Sequence, residues 1–431
     1  QWEARGQVRF KQLRGFSRLF PIPMYIDETS VNFNTNNMTL SGARLHLGKS
    51  DLTLSGELSG IRRAMLRGGK LKANFELESD LIDCNQLMLA IGKGLQFSDQ
   101  LASNSVRAFS EDSISVLETD HLLANTVDSV ATDSISQLFV VPKFLDLTLH
   151  TNAKKIDFKD LKLEDVKGEV VIRDQSINLS DLCMSSNIGS GDLTMVYTTK
   201  TDQEATMGFE LSLNDILVER LISLFPDIDT LVPMLRSFEG MVDCQMTATC
   251  KADSTMSVLL PSVNASCYLS GKNMVLLDGE TFTEISKTLM FKNKKRNMID
   301  SIAVDLAIHD NKIEVFPFLV EMDRYKVAVG GTHNLDMTFD YHLSVLKSPV
   351  PFKLGIDIKG NLDDFKFKIV KCKYKDFLKP AKQAELDSTR RNVREEIRET
   401  IRKQIREAAP ELGNSLSEIH PHTHGHVEES T

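Results

Sequence analysis

A two-residue alternation of apolar and polar side chains constrains this chain more than any other feature of its sequence. It is most regular between Ser301 and Val370, where a second apolar run follows the first after a turn predicted at Gly330 and Gly331. The two runs place eight residues on candidate apolar faces: Ile302, Val304, Leu306 and Ile308, then Leu335, Met337, Phe339 and Tyr341. Because successive side chains of a β-strand point to opposite faces, this spacing predicts sheets with one apolar and one polar side.

The apolar side of such a sheet needs a cover, and the sequence leaves two arrangements open. If a second layer of protein covers it, the fold is an ordinary sandwich with these eight residues in its core. If no protein covers it, the sheet is a trough suited to acyl chains, and the eight residues face lipid. Similar runs elsewhere predict a mainly β fold: an extended, curved antiparallel sheet, groove or sandwich-like, with a few short helices.

Shifts in composition divide the chain into five segments. The predicted order is a β-meander with a short helix over 1–94, a low-complexity, disordered insertion over 95–141, a second β domain over 142–375, a charged amphipathic helix over 376–412, and a disordered histidine-containing tail over 413–431. Further short helices are predicted at four places: behind Asp80, behind Asn214, from Asp229 to Phe238, and from Thr281 to Met290.

The predicted C-terminal helix carries a narrow apolar stripe flanked by basic residues. The stripe consists of Val393, Ile397, Ile401 and Ile405, at a spacing of four. Arginines beside it alternate with glutamates that can form ion pairs one helical turn apart. Such a narrow stripe favours a helix that lies across a protein surface or pairs with one partner. A membrane-surface helix would need larger apolar residues.

The overall composition disfavours several classes of protein. The chain has 51 basic and 60 acidic residues among 431, a net charge of −9, which argues against generic binding to nucleic acid. No run approaches the roughly 18 consecutive apolar residues of a membrane-spanning helix. The sequence opens with Gln1, so we expect a missing upstream segment that carries a signal peptide or an anchor helix. The six cysteines are spaced like small apolar core residues rather than metal ligands.

Motifs that would carry catalysis are absent from the sequence. There is no Walker loop, HExxH motif, GxSxG elbow or CxxC pair. The tail holds His420, His422, His424 and His426, for which we expect at most incidental metal binding because a tail offers no supporting shell. Aromatic residues make up only 7% of the chain, with one Trp, which disfavours a polysaccharide-cleaving enzyme. The sequence therefore predicts a non-enzymatic protein with no catalytic site, metal site or cofactor.

Four short motifs occur in a consistent order in the second β region. They are Leu277-Asp278-Gly279-Glu280-Thr281-Phe282, Asp310-Asn311-Lys312-Ile313-Glu314-Val315, Val329-Gly330-Gly331-Thr332-His333-Asn334-Leu335-Asp336-Met337 and Gly355-Ile356-Asp357-Ile358-Lys359-Gly360. Through them the chain resembles the C-terminal region of AsmA-like proteins, the group related to TamB, in the forms found in Bacteroidetes. The resemblance covers the β region from Pro142 to Val370 and is strongest after Gly271.

The resemblance implies a periplasmic protein held in the inner membrane by an N-terminal segment that this chain lacks. It further implies a role in outer-membrane assembly and homeostasis, with phospholipid held or conducted in an apolar β-groove. The alternative is a structural or interaction module of the cell envelope whose C-terminal helix docks on a protein partner. Deleting residues 379–431 separates the two, because only the interaction module would lose its partner while its lipid content stayed unchanged.

Overall fold

The computed structural model describes most of residues 5–408. The gaps are residues 18–19, 28, 68, 92, 95–137, 159–160, 187–188, 202, 225–234, 236–237, 277–296, 323–324, 335–337, 349–352 and 362–363. Leu335, Met337, the helix predicted from Thr281 and the histidine-containing tail therefore lie outside the described residues, as do nearly all of the predicted insertion, most of the helix predicted from Asp229 and the side chain of Ile405.

Strands account for most of the described chain. Those before the large gap are β1 (Arg5–Phe10), β2 (Leu13–Ser17), β3 (Phe20–Ile26), β4 (Thr29–Asn34), β5 (Asn37–Leu47), β6 (Ser50–Ser59), β7 (Leu71–Ser79) and β8 (Ile82–Asp83). Those after it are β9 (Leu145–Phe158), β10 (Leu161–Arg173), β11 (Ser176–Ser186), β12 (Gly189–Thr198), β13 (Glu204–Leu217), β14 (Phe238–Glu239), β15 (Met241–Asp253), β16 (Asn264–Leu276), β17 (Asn297–His309), β18 (Lys312–Met322), β19 (Tyr325–Asn334), β20 (Phe339–Lys347), β21 (Leu354–Gly360) and β22 (Phe365–Val370).

Four α-helices interrupt or follow these strands in the described part. They are α1 (Ile61–Arg67), α2 (84–91), α3 (Val218–Leu224) and α4 (Pro380–Ala408). Three of them are short, whereas α4 has 29 residues and many charged side chains. The helix predicted behind Asp80 corresponds to β8 followed by α2.

All 22 strands belong to one curved sheet that does not close. Eighteen of them form a continuous ladder in the order β1, β4, β5, β6, β7, β9, β10, β11, β12, β13, β15, β16, β17, β18, β19, β20, β21, β22. The short strands β2, β3, β8 and β14 extend the ladder beside longer neighbours. The predicted fold class, a mainly β protein built on an extended curved sheet with few helices, is confirmed.

Strand β9 departs from the antiparallel pattern of the ladder. Strand β9 pairs with β7 in parallel, from Leu71 opposite Leu145 to Ser79 opposite Ala153, and β8 also pairs with β9 in parallel. The sheet is therefore mixed rather than wholly antiparallel. A parallel pair needs a long crossover connection, and here the intervening chain includes α2 and the gap at 95–137. This pairing joins the two predicted β regions into one sheet.

The apolar side chains of neighbouring strands fall in register on one face, which we call the inner face. On β17, Leu306 lies between Cys267 of β16 and Val315 of β18. Ile302, Val304 and Ile308 share this face by their even spacing, and Tyr341 joins it because it lies opposite Gly331, which lies opposite Val315. Phe339 occupies the same face two residues earlier. The opposite face, which carries the alternate residues, is the outer face.

Two local predictions are wrong: the turn at Gly330 and Gly331, and the start of a helix at Asn214. Gly330 and Gly331 lie inside β19, and the chain turns instead between Asn334 and Thr338, whose backbones hydrogen-bond at 2.8 Å. Both positions leave no room for a side chain, because a Cβ on Gly331 would lie 2.7 Å from Tyr341 Cα and a Cβ on Gly330 would lie 2.9 Å from Pro317 Cα. Asn214 does not begin a helix either. It pairs with Ser190 as part of β13, and α3 starts only after the bulge that follows Leu213.

Candidate functional site

A single row of directly opposed residues crosses the inner face of the whole ladder. In strand order it consists of Val8, Val31, Leu40, Gly56, Phe75, Leu149, Val170, Leu179, Met195, Phe209, Ala248, Ala265, Ile308, Ile313, His333, Phe339, Gly360 and Phe365. We call it the apolar row. His333 is its one polar side chain, and this ring is buried and stacks on Phe339 with centroids 6.2 Å apart. Apart from His333, this row is thus apolar from one edge of the sheet to the other.

The apolar row is not equally buried along its length. From Ala248 to Ile313 it belongs to the largest hydrophobic cluster, and its four members there are buried. Between β7 and β13 every member is only half-buried, although these are large side chains: Phe75, Leu149, Val170, Leu179, Met195 and Phe209. Large apolar side chains that keep contact with solvent on a folded sheet can lower their free energy by contact with an apolar ligand.

Short helices and a loop segment pack along the two borders of the inner face, where the strands end. At one border, α2 packs Leu87 near Leu77 and Val166, and α3 packs Val218 and Leu221 into the largest cluster. These helices lie where β7, β9 and β13 end. At the opposite border the segment from Leu138 to Val141 packs on Tyr197, whose hydroxyl donates to the Phe139 carbonyl at 2.8 Å. Short elements therefore flank the inner face along both borders.

Helix α4 lies on the outer face and crosses the strands between β11 and β18. Ion pairs fix it there: Arg390 and Arg394 both reach Asp305 of β17, at 3.3 Å and 2.9 Å. Arg398 reaches Glu210 of β13 at 2.7 Å. Burial raises the pKa of Asp305 above its ordinary value, although the two arginines act in the opposite direction. Three arginines on one side of α4 thus neutralise carboxylates of the outer face.

The apolar stripe of α4 faces the same sheet. Ile401 is 2% exposed and approaches Gly208, where a Cβ atom would lie 3.3 Å from its Cγ1 atom and 2.6 Å from Gln404 Oε1. Val393 and Ile397 are half-buried on the same side of the helix. Glycine at position 208 permits this close approach because it has no side chain. The structure gives Ile401 a partner within its own chain.

A Ser–His–Asp arrangement on the outer face has the connectivity of a catalytic triad. His342 Nδ1 lies 2.5 Å from Asp357 Oδ1, and its Nε2 lies 2.9 Å from Ser344 Oγ. Ser344 is 0% exposed, however, and its Oγ accepts the backbone N–H of Tyr374, while the N–H of Lys373 donates to His342 Nε2. A nucleophile needs access to its substrate. This network instead attaches the segment that follows β22 to the sheet.

The partners of Asp357 in that network favour its carboxylate form. Burial acts to raise its pKa, but the hydrogen bond from His342 and the ion pair with Lys373 at 3.0 Å together lower the pKa below its ordinary value. The charged network thus favours the folded state when Asp357 is ionised.

The cysteines and other metal-binding residues form no evident reactive site in the described part of the chain. Cys244 and Cys250 lie on one face of β15, and all six cysteines are free thiols. Cys244 and Cys267 are both buried on the inner face with their Sγ atoms 3.9 Å apart. Burial raises the pKa of Cys84 to about 11. No group of three or more potential metal ligands occurs among the described residues.

Sequence reasoning identified the inner face on β17 and β20 but missed its extent. The half-buried members of the apolar row on β7 to β13, such as Met195 and Phe209, were not among the candidate residues. Their strands alternate as regularly as β17 does, so the signal existed, but only the register brings them into one row.

The described helices include none with the length and apolar character needed to cross a bilayer. Comparisons with protein-family models, curated proteins and solved structures found no match.

Proposed function

We propose that this protein is a non-enzymatic component of the cell envelope that holds or conducts phospholipid along the inner face of its sheet. In this proposal the body of the protein lies in the periplasm, and a segment upstream of Gln1 holds it in the inner membrane. Phospholipid delivered or sheltered in this way would support assembly of the outer membrane. The envelope location rests on the resemblance to AsmA-like proteins, whereas the ligand class rests on the sheet itself.

The observation that carries the lipid assignment is the half-buried stretch of the apolar row. Phe75, Leu149, Met195 and Phe209 follow one another across neighbouring strands, with no charged side chain between them in the row. An acyl chain laid across these strands would meet apolar groups at every step. Burial of methylene groups contributes about 0.8 kcal/mol each, so even a partly covered chain would bind measurably.

The placement of α4 supports the same assignment. A long helix that covered the inner face would convert the sheet into an ordinary two-layer core, as one reading of the sequence allowed. Instead α4 covers the outer face, where Asp305 and Glu210 need its arginines. The backbone groups of the inner floor are paired within the sheet, so a lipid would not have to satisfy them.

A crosslinking experiment tests the assignment with matched positions. A photoreactive benzophenone amino acid replaces Met195 or Phe209 on the inner face, and Thr194 or Ser212 on the outer face; all four positions are half-buried. After expression in a bacterium and irradiation, intact-mass spectrometry should show a phospholipid adduct at both inner positions and at neither outer one. Adducts of equal yield on both faces, or none on the inner face, would refute the proposal.

Lipid content gives an independent measurement. The full chain purified without detergent is extracted with organic solvent, and phospholipid is quantified per chain by mass spectrometry. We expect at least one phospholipid per chain, and a lower content after Phe209→Glu, which places a charge in the apolar row. A stable, lipid-free protein would contradict the lipid assignment and favour a search for protein partners.

A further inference from the structure

The C-terminal edge of the sheet differs in charge from the rest of the molecule. Between Phe339 and Lys382 the sequence has ten lysines and five aspartates, and neither arginine nor glutamate, whereas the whole chain has a net charge of −9. This net positive region includes the last three strands of the ladder and the turns around them. A basic region in an acidic protein points to a negatively charged partner.

The lysines gather at one corner because of the strand directions. Strand β20 ends at Lys347, β21 begins just after Lys353, and β22 ends just before Lys371. Val345 lies opposite Leu354, and a Cβ on Gly355 would lie 2.5 Å from the Lys371 carbonyl oxygen, so the three strand ends are neighbours. The following turn adds Lys375 and Lys379, both exposed.

Few acidic groups oppose this charge. Asp376 pairs with Lys379 at 2.9 Å, and Asp357 pairs with Lys373 and His342. Lys347, Lys353 and Lys371 are exposed and form no ion pair with any described residue. We call the five lysines at 347, 353, 371, 375 and 379 the basic corner.

Exposed apolar side chains lie among these lysines. Ile369 of β22 is 59% exposed, Phe367 is 41% exposed, and Leu378 in the following turn is 49% exposed. Strand β22 pairs with β21 along one edge, and its other edge has no strand partner in the described part of the chain. Edge strands usually carry lysine to discourage pairing with other strands, and Lys366 and Lys368 on β22 fit that role.

We propose that the basic corner docks on the surface of a bilayer that contains anionic phospholipid. The lysines contact phosphate groups, and Ile369 and Leu378 enter the interface between head groups and acyl chains. The lysines come from one strand end, at Lys347, and from two connecting segments, before β21 and after β22, rather than from alternate positions of one strand. That arrangement suits a broad negative surface better than a single acidic peptide strand, which would have to match the register of β22.

This proposal does not require the inner face to hold lipid, and the two can fail separately. The test uses the full chain and sedimentation with vesicles of phosphatidylcholine alone or with a third of phosphatidylglycerol. We expect binding to the anionic vesicles only, weakening as sodium chloride is raised, because screening reduces attraction between exposed charges. Lipid content of the soluble protein, measured alongside, reports on the inner face independently.

Substitutions locate the contact. Lys347→Gln, Lys353→Gln and Lys371→Gln together should reduce the affinity by about a hundredfold, since each lysine at an anionic surface contributes about fivefold. The control combines Lys155→Gln, Lys162→Gln and Lys167→Gln, which replace exposed lysines of β9 and β10. These three substitutions together should change the affinity less than the replacement of a single lysine of the basic corner does. Ile369→Ser with Leu378→Ser should weaken vesicle binding at high salt, where apolar contacts dominate.

Three results would overturn the proposal. One is equal binding to neutral and anionic vesicles, and another is unchanged anionic binding after the three corner substitutions with an unaltered circular dichroism spectrum. The third is binding to a poly-glutamate peptide without binding to vesicles, which would assign the corner to an acidic protein partner instead.

Discussion

At strands β11 to β13 the two faces of the sheet can be compared strand by strand. The inner face carries Leu179, Met195 and Phe209, which are large, apolar and half-buried. The outer face carries Asn178 and Val196, which are small or polar and 0% and 1% exposed. The less apolar face is thus the better covered one, because α4 lies on it.

The comparison shows that α4 lies on the face where its arginines find carboxylate partners, not on the face with the larger apolar area. Asp305 and Glu210 would be costly under a helix without basic residues, and the arginines of α4 compensate for them. Asn178 shows the cost of that arrangement, since neither of its side-chain amide atoms has a hydrogen-bond partner in the described structure. Because α4 lies on the outer face, the half-buried apolar side chains of the inner face stay available to a ligand.

The largest expected effect comes from placing a charge on the buried part of the inner face. Leu306→Asp should lower the free energy of unfolding by more than about 4 kcal/mol, because it removes a packed side chain and buries an unpaired carboxylate. Ala303→Asp on the exposed outer side of the same strand is the control and should cost little. Urea unfolding followed by circular dichroism measures both. Equal losses would mean that the two faces do not differ as described.

The second effect breaks the charge pairing of the outer face. Asp305→Ala removes the buried carboxylate that Arg390 and Arg394 share. We expect a loss of about 3 kcal/mol in the free energy of unfolding, at the lower end for a buried pair because the arginines are partly exposed. Limited proteolysis should then cut within α4 sooner. The control Asp387→Ala removes an exposed i,i+3 partner of Arg390 and should change little. An unaltered proteolysis pattern would show that Asp305 does not hold the helix.

A third substitution adds a side chain between α4 and β13, where only glycine fits. Gly208→Val should displace Ile401 and Gln404 and cost about 2 kcal/mol, since added volume in a packed interface forces its neighbours apart. Thr206→Val lies on the same face of β13 and adds no comparable volume. If both variants unfold at the same urea concentration, α4 does not pack on Gly208 as tightly as described.

The smallest effect concerns pH. Because the folded-state pKa of Asp357 is lowered, its pairs stabilise the protein above the ordinary aspartate value of 3.8, and this stabilisation is lost as pH falls through the lower pKa. Asp357→Asn should therefore be less stable than the parent by about 1 kcal/mol at neutral pH. The difference should vanish in strong acid. Asp364→Asn, at an exposed turn, serves as the control, and a pH-independent difference would contradict the assignment.

The sequence alone was sufficient for the class of fold and for the inner face on single strands. Alternation in runs such as Ile302 to Ile308 has one structural solution, because only a strand separates neighbours by face. The predicted turn at Gly330 and Gly331 failed because glycine also serves where neighbouring side chains leave no room for a Cβ atom. The chain offers no local sign that distinguishes these two uses of glycine.

The position of α4 could not be predicted for a different reason. Its stripe of Val393, Ile397 and Ile401 indicates a surface for packing but not which surface. The deciding contacts join Arg394 to Asp305 and Arg398 to Glu210, residues far apart in the chain. Pairing of this kind depends on which strands lie side by side, and local periodicity contains no such information.

The number of strands in the ladder also sets the length of the sheet. Neighbouring strands lie about 4.8 Å apart, so seventeen spacings give the sheet a length of about 80 Å along its surface, well beyond the roughly 30 Å hydrocarbon thickness of a bilayer. Since nearly every step is a hairpin between consecutive strands, removing one hairpin would shorten the sheet by about 10 Å without changing the register of the others. The number of hairpins encoded in the chain therefore sets how far apart the two edges of the sheet can reach.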